Sequence, residues 1–80
     1  HINQPDYEGW TPLHWAAYVK VKRLAEVLLA AGANINAQSK DGNTPAHLAK
    51  NSPLKGDDVY SFLKKSGSDP SIKNNQGQTA

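Results

Sequence analysis

No cysteine occurs in these 80 residues, so neither a disulfide framework nor a cysteine-based zinc site can brace the fold. A chain this short buries only about 60 % of the surface it exposes when unfolded, and its stability must come from packing. The same lack agrees with a reducing compartment, so an intracellular setting, cytoplasmic or nuclear, is the expectation. Aromatics are sparse, with two Trp, three Tyr and one Phe; together with a 38 % apolar fraction they supply a modest core, which a disordered chain would not have. Neither sign of charge prevails. Nine Lys and Arg stand against seven Asp and Glu, and no basic run exceeds Lys22-Arg23 or Lys64-Lys65, which argues against a nucleic-acid partner. No apolar stretch approaches the roughly 18 residues of a membrane helix, and the first residues lack the charged-then-apolar pattern of a signal, so no membrane partner is expected. The chain begins at His1 without Met. The expectation is a processed chain or a segment of a longer one.

What the sequence does have is a repeat. Ile2-Asn3 aligns with Ile35-Asn36, Gly9 with Gly42, Thr11-Pro12 with Thr44-Pro45, His14 with His47 and Ala16 with Ala49, each pair 33 positions apart. Gly77 and Thr79 begin a weaker third copy, 35 positions after Gly42 and Thr44. Self-similarity at a fixed period of this length marks stacked supersecondary units. Thr11 is a candidate N-cap, Pro12 suits the first helical position, and the His14 ring can bond back to the cap. Apolar positions recur at Leu13, Ala16 and Ala17, then at Leu24, Val27, Leu28 and Ala31, the spacing of one buried helical face. Gly32 can end the second helix in a left-handed conformation. Thr44, Pro45, Leu48, Ala49, Val59, Phe62, Leu63 and Gly67 reproduce the pattern. Helices are expected near 12–19, 24–31, 45–51 and 57–66, with polar turn-rich fingers near 1–10, 33–43 and 68–78.

The segments Gly9–Ala17 and Asp41–Ala49 resemble the Gly-x-Thr-Pro-Leu-His-x-Ala-Ala signature of the ankyrin-repeat family, and Leu28–Ala37 resembles its closing segment. The resemblance implies an all-α solenoid of stacked helix-turn-helix units joined by β-hairpin-like fingers. It divides residues 1–80 into the tail of a preceding repeat (1–8), repeat one (9–41), repeat two with a two-residue insertion (42–76) and the start of a further repeat (77–80), a fragment of a longer array. Two departures stand out. Lys20 replaces the glycine usual between the two helices and, with Lys22 and Arg23, puts cations near the positive start of helix two, each costing a few tenths of a kcal/mol. Lys50 and Ala46 replace the usual Ala and Leu, so repeat two should pack less tightly. Because end repeats normally need cover, Leu13, Trp15, Leu24, Phe62 and Leu63 read as open flanks that could self-associate, and an isolated chain should melt at low temperature. Trp15 is read as facing the inter-repeat core.

Catalysis finds no support. His14 and His47 are repeat-equivalent, and together with His1 they suit a capping ladder better than a metal site or a catalytic site. Asp57-Asp58 suit a helix start better than acid–base work, which needs a pocket and a positioned partner. No nucleophile motif or phosphate-cradling loop is present, and no cofactor or metal is expected. The family resemblance implies partner binding on a concave face made by the fingers and the first helix of each repeat. Carried onto matching positions, that face takes Tyr7, Glu8, Trp10, Tyr18 and Val19 in repeat one. In repeat two it takes Lys40, Asp41, Asn43, Asn51 and Ser52, and in the partial third Asn75, Gln76 and Gln78. The partner would be a protein or a peptide, and the chain a scaffold or adaptor. The alternative is a spacer or regulatory cover inside a multidomain enzyme or effector. An aromatic cage from Trp10, Trp15, Tyr18 and Glu8 is a weaker variant.

Overall fold

The computed structural model describes residues 2–80, so His1, at the head of the first expected finger, lies outside the described residues. Four helices follow one another: α1 (Pro12–Val19), α2 (Lys22–Ala30), α3 (Pro45–Asn51) and α4 (Val59–Lys65). Among the described residues there is no extended strand, and the only β feature is an isolated antiparallel bridge between Lys73 and Thr79. Helix α1 packs chiefly on α3 and on α2, and α3 in turn packs on α4. The architecture is an all-α stack of helix pairs.

Each pair opens on the same device. Thr11 and Thr44 are N-caps in extended backbone, each followed by a proline at the first helical position. The Thr11 amide donates to His14 Nδ1 at 3.0 Å and the Thr44 amide to His47 Nδ1 at 3.1 Å. A ring nitrogen that accepts an amide proton leaves the imidazole proton on Nε2. His14 Nε2 therefore donates to the Asn43 carbonyl, and His47 Nε2 to the Gln78 carbonyl, both at 2.8 Å. One side chain thus starts a helix and ties it to the next finger.

The fingers repeat with equal regularity. Asp6, Ser39 and Asn74 each close a finger by an amide bond to the carbonyl four residues on (Trp10, Asn43, Gln78). Each also accepts from a finger amide through its side chain: Asp6 from Glu8 and Trp10, Ser39 from Asn43, Asn74 from Gln76 and Gln78. Adjacent fingers then bond backbone to backbone, Lys40 N–H to the Glu8 carbonyl at 3.0 Å and Asn75 N–H to the Asp41 carbonyl at 2.9 Å. The tip needs glycine: Gly42 has φ +80°, and a Cβ there would meet the Asn75 amide nitrogen at 2.8 Å. For Asp6, desolvation by its neighbours pulls the carboxyl upward, but the hydrogen bonds from Trp10, Trp15 and Glu8 outweigh it and hold the group below its ordinary range.

The core is small-residue packing. Leu13, Ala16, Ala17, Ala25, Ala46, Ala49, Val59 and Leu63 form one buried cluster whose alanines let the helices approach closely. Burying each of the larger members stabilises the fold by roughly 1.5–3 kcal/mol. Two of the residues expected on open flanks belong here: Leu13 and Leu63 are fully buried, because each lies on the same side of its helix as the alanines or valine one turn away. Trp15, Leu24 and Phe62 remain partly or largely accessible. Helix α2 also turns a different face inward than the apolar spacing suggested. Ala25 is buried and Leu28 and Leu29 partly so, whereas Leu24, Val27 and Ala31 are exposed. In repeat two, where looser packing is expected, α3 is buried at every position from Pro45 to Ala49, since helices lie on both of its sides.

The inter-helix turn explains two further departures. Lys20 adopts φ +59°, ψ +49°, the left-handed conformation that glycine takes without cost and that costs other residues roughly 1–2 kcal/mol. The inserted loop lies against it, and a Cβ on Gly56 would meet the Lys20 carbonyl oxygen at 2.6 Å. Asp57 gives its amide to that carbonyl and accepts the Lys22 amide through its carboxylate at 2.9 Å. An acid from repeat two therefore caps helix two of repeat one and offsets the cations crowded there. That use of Asp57 also starts α4 later than expected, on Asp58, which accepts the Ser61 amide at 3.1 Å. The Ser61 hydrogen bonds, and then the charges of Lys20 and Lys65, hold the Asp58 carboxyl below its usual value.

Burial is the chief force on His14, and it holds the ring's pKa below the ordinary 6.5. The unfolded ring protonates near 6.5 while the folded ring resists, so the unfolded state binds more protons in that window and stability rises with pH. This contribution is complete above about pH 6.5 and is lost as the pH falls toward the folded value. The urea midpoint is therefore expected to drop between pH 7.5 and pH 5, and to drop less in His14→Gln. An unchanged or rising midpoint would contradict the burial argument.

Candidate functional site

Fingers two and three, with the end of α3, enclose a polar cleft of about 320 Å³ lined by Asp41, Asn43, Asn51, Asn74, Asn75, Gln76 and Gln78. Its position follows from the ladder. The Asn75 amide bonds to Asp41, the Asn74 side chain donates to Asn43 Oδ1 at 3.0 Å and Gln78 Oε1 at 3.2 Å, and Asn75 Nδ2 donates to the Lys40 carbonyl at 2.8 Å. Asn74 and Asn75 are thereby fixed as the floor. Among the described residues, the Asn51 and Gln76 side chains, the Asn43 and Gln78 amide NH2 groups and the Asp41 carboxylate carry no intramolecular bond. Amides offer donors and acceptors together, the pattern that a peptide backbone complements.

Of the residues expected on the concave face, the structure gathers Asp41, Asn43, Asn51, Asn75, Gln76 and Gln78 into this cleft. Asn74 was not among them, although its register with Asp6 and Ser39, 35 positions after Ser39, marks it as a finger-closing residue. The others lie elsewhere. Tyr7 is 93 % exposed at the first fingertip, with Glu8 beside it and Lys40 on the second finger, both exposed. Trp10 is half-buried and packs on Trp15 (ring centroids 4.5 Å apart) and on Tyr18 (5.3 Å). Val19 is exposed at the end of α1. Ser52 donates its hydroxyl to the Tyr18 carbonyl at 2.6 Å, which joins the end of α1 to the inserted loop.

A second concavity is apolar and more open, lined by Gln4, Asp6, Trp10, Pro12, Trp15, Leu24 and Leu28. Trp15 stands on its wall with 46 % of its surface exposed, its indole N–H donated to Asp6 Oδ2 at 3.0 Å. It thus lies on the open flank expected of it and outside the buried cluster, and the carboxylate of the first finger gives its polar edge a partner at the surface. Neither concavity pairs a nucleophile with a base, and the described residues include no group of three or more His, Cys, Asp or Glu able to hold a metal ion.

A family model described as ankyrin repeats (3 copies) matches residues 1–74. A Schizosaccharomyces pombe ankyrin repeat-containing protein is 30 % identical over 78 residues, covering 98 % of this chain and 36 % of its own length. Human BCL-6 corepressor-like protein 1 is 33 % identical over 81 aligned positions, 99 % of this chain but 4 % of that protein. Mouse Rabankyrin-5 is 48 % identical over 42 residues, 52 % of this chain and 4 % of its own. The chain therefore spans from about a third to a small fraction of the length of these relatives.

The hydrogen-bond pattern separates floor from rim by experiment. Asn74→Ala removes bonds that close the third finger and should cost about 1 kcal/mol or more of unfolding free energy in urea titration. Asn51→Ala removes none and should stay within about 0.5 kcal/mol of the parent. Equal losses in both would show that the two residues share one structural role.

Proposed function

Since the chain belongs to the ankyrin-repeat family, whose repeats generally mediate protein–protein interaction without catalysis, we propose that it holds a partner protein or peptide on its concave finger and inner-helix face. The observation that carries this reading is the amide-lined cleft of Asp41, Asn43, Asn51 and residues 74–78. Its unused donors and acceptors surround a floor, Asn74 and Asn75, already tied down by hydrogen bonds, so part of the ordering a partner would require is complete before it arrives. A peptide in extended conformation exposes alternating carbonyls and amides that match such a rim. The aromatic patch of Trp10, Trp15 and Tyr18 adds a surface of the kind that supplies anchoring energy. We place the interaction inside the cell, in keeping with the absence of cysteine.

A spacer role in a larger protein would leave this face without selective pressure on binding, and the two readings part in one experiment. Peptides displayed from a random library are selected on the whole chain and measured against two variants, Asn43→Ala/Asn51→Ala/Gln78→Ala and Lys22→Glu/Arg23→Glu. The cleft variant should lose roughly 1–3 kcal/mol of binding free energy with its circular dichroism spectrum intact, while the turn variant binds as the parent does. The reverse result would move the site to the inter-helix turns, and a library that yields no selectable binder would favour the spacer.

A further inference from the structure

The chain has five aspartates, and four of them have work inside the fold. Asp6 closes the first finger, Asp57 caps α2, Asp58 caps α4, and Asp69 accepts the Ser71 amide and hydroxyl at 2.9 and 2.7 Å. Asp41 differs. Its backbone carbonyl serves the finger ladder by accepting the Asn75 amide, yet its carboxylate carries no hydrogen bond among the described residues. It stands at the edge of a cleft whose other lining side chains are all neutral amides. The neighbouring Asn43 and Gln78 orient their oxygens toward Asn74, and the carboxylate is the one formal charge on the lining.

Resting on the concave-face reading, we propose that this cleft takes an extended protein segment through one arginine, whose guanidinium docks on the Asp41 carboxylate. The chemistry selects arginine on two grounds. A guanidinium presents five N–H donors in a plane and no acceptor, so it needs several acceptors around it. The carboxylate supplies a bidentate pair, and the free amide oxygens of Asn51 and Gln76 supply more from the same wall. The neutral amides beside it pair with the flanking peptide groups and add no second charge that would repel the cation. The ladder bond from Lys40 N–H to the Glu8 carbonyl sets Glu8 on the preceding finger at the position equivalent to Asp41, 33 residues earlier. A second basic side chain further along the segment therefore meets a second exposed carboxylate. The chain's overall charge is +2, so recognition depends on these local acids and not on long-range attraction.

The test is a titration of the whole 15N-labelled chain with three capped tripeptides, Gly-Arg-Gly, Gly-Lys-Gly and Gly-citrulline-Gly, followed by the side-chain NH2 signals of Asn43, Asn51, Gln76 and Gln78. Citrulline keeps the shape of arginine and removes its charge. The arginine peptide should give saturable shifts in these signals, with an affinity about two- to fivefold above citrulline, the ratio that an exposed ion pair supports. It should also exceed lysine, and Asp41→Asn should abolish the difference while leaving the backbone spectrum folded. Equal titration by arginine and citrulline, or an unchanged preference in Asp41→Asn, would overturn the arginine assignment while the cleft kept its place as a peptide site. Absence of cleft shifts with all three peptides would overturn the concave-face reading together with it.

Discussion

The structure depends on a histidine ring with a different bond at each nitrogen. Nδ1 of His14 accepts the Thr11 amide and Nε2 donates to the Asn43 carbonyl on the following finger; His47 repeats this with Thr44 and Gln78. A buried imidazole with both nitrogens satisfied fixes where each helix pair starts and how far it stands from the next finger. In a chain without disulfides or a large core, a bond that joins one unit to the next matters more than its net worth of about 1 kcal/mol suggests, because an unpaired buried ring costs more than the bond returns. The finger ladder, with Lys40 on Glu8 and Asn75 on Asp41, continues the same linkage along the outer edge.

The proposed binding role rests on where that linkage leaves polar groups free. Asn74 and Asn75 are consumed in holding fingers two and three together, and their neighbours are held in place with hydrogen-bonding capacity to spare. The cleft is thus a by-product of stacking, positioned by bonds that are themselves part of the fold. Beyond the end of α3 the inserted loop spends its polar groups within the fold, Ser52 on the Tyr18 carbonyl, Asp57 on the Lys22 amide, and leaves less to offer a partner.

Much of this was legible in the residues alone. The Thr-Pro pairs, the histidines three residues later and the 33-residue register located α1, α3 and the fingers, because capping is a local matter decided within one turn. The family signature led to six of the seven cleft residues, and register with Asp6 and Ser39 would have led to Asn74. What escaped depends on partners distant in sequence. The inward face of α2 is set by contact with α1 and α4, so Ala25, an inconspicuous residue, is buried while Val27 is exposed. Asp57 caps α2 by accepting from a donor 35 positions away, the Lys22 amide, and no local pattern points to it. Leu13 and Leu63 read as flank when each repeat is taken by itself, whereas both side chains belong to the buried cluster between the helices.

The central claim concerns the protons on the two rings, and it is open to direct measurement. Long-range 1H–15N correlation spectra of the imidazoles at pH 7.5 report which nitrogen carries the proton. The account predicts the neutral Nε2–H tautomer for both His14 and His47, with the Nε2 proton slow to exchange because it is bonded to a finger carbonyl. A proton on Nδ1, or rapid exchange between the two tautomers in the folded chain, would contradict it, since the helix starts could not then be coupled to the following fingers through these rings.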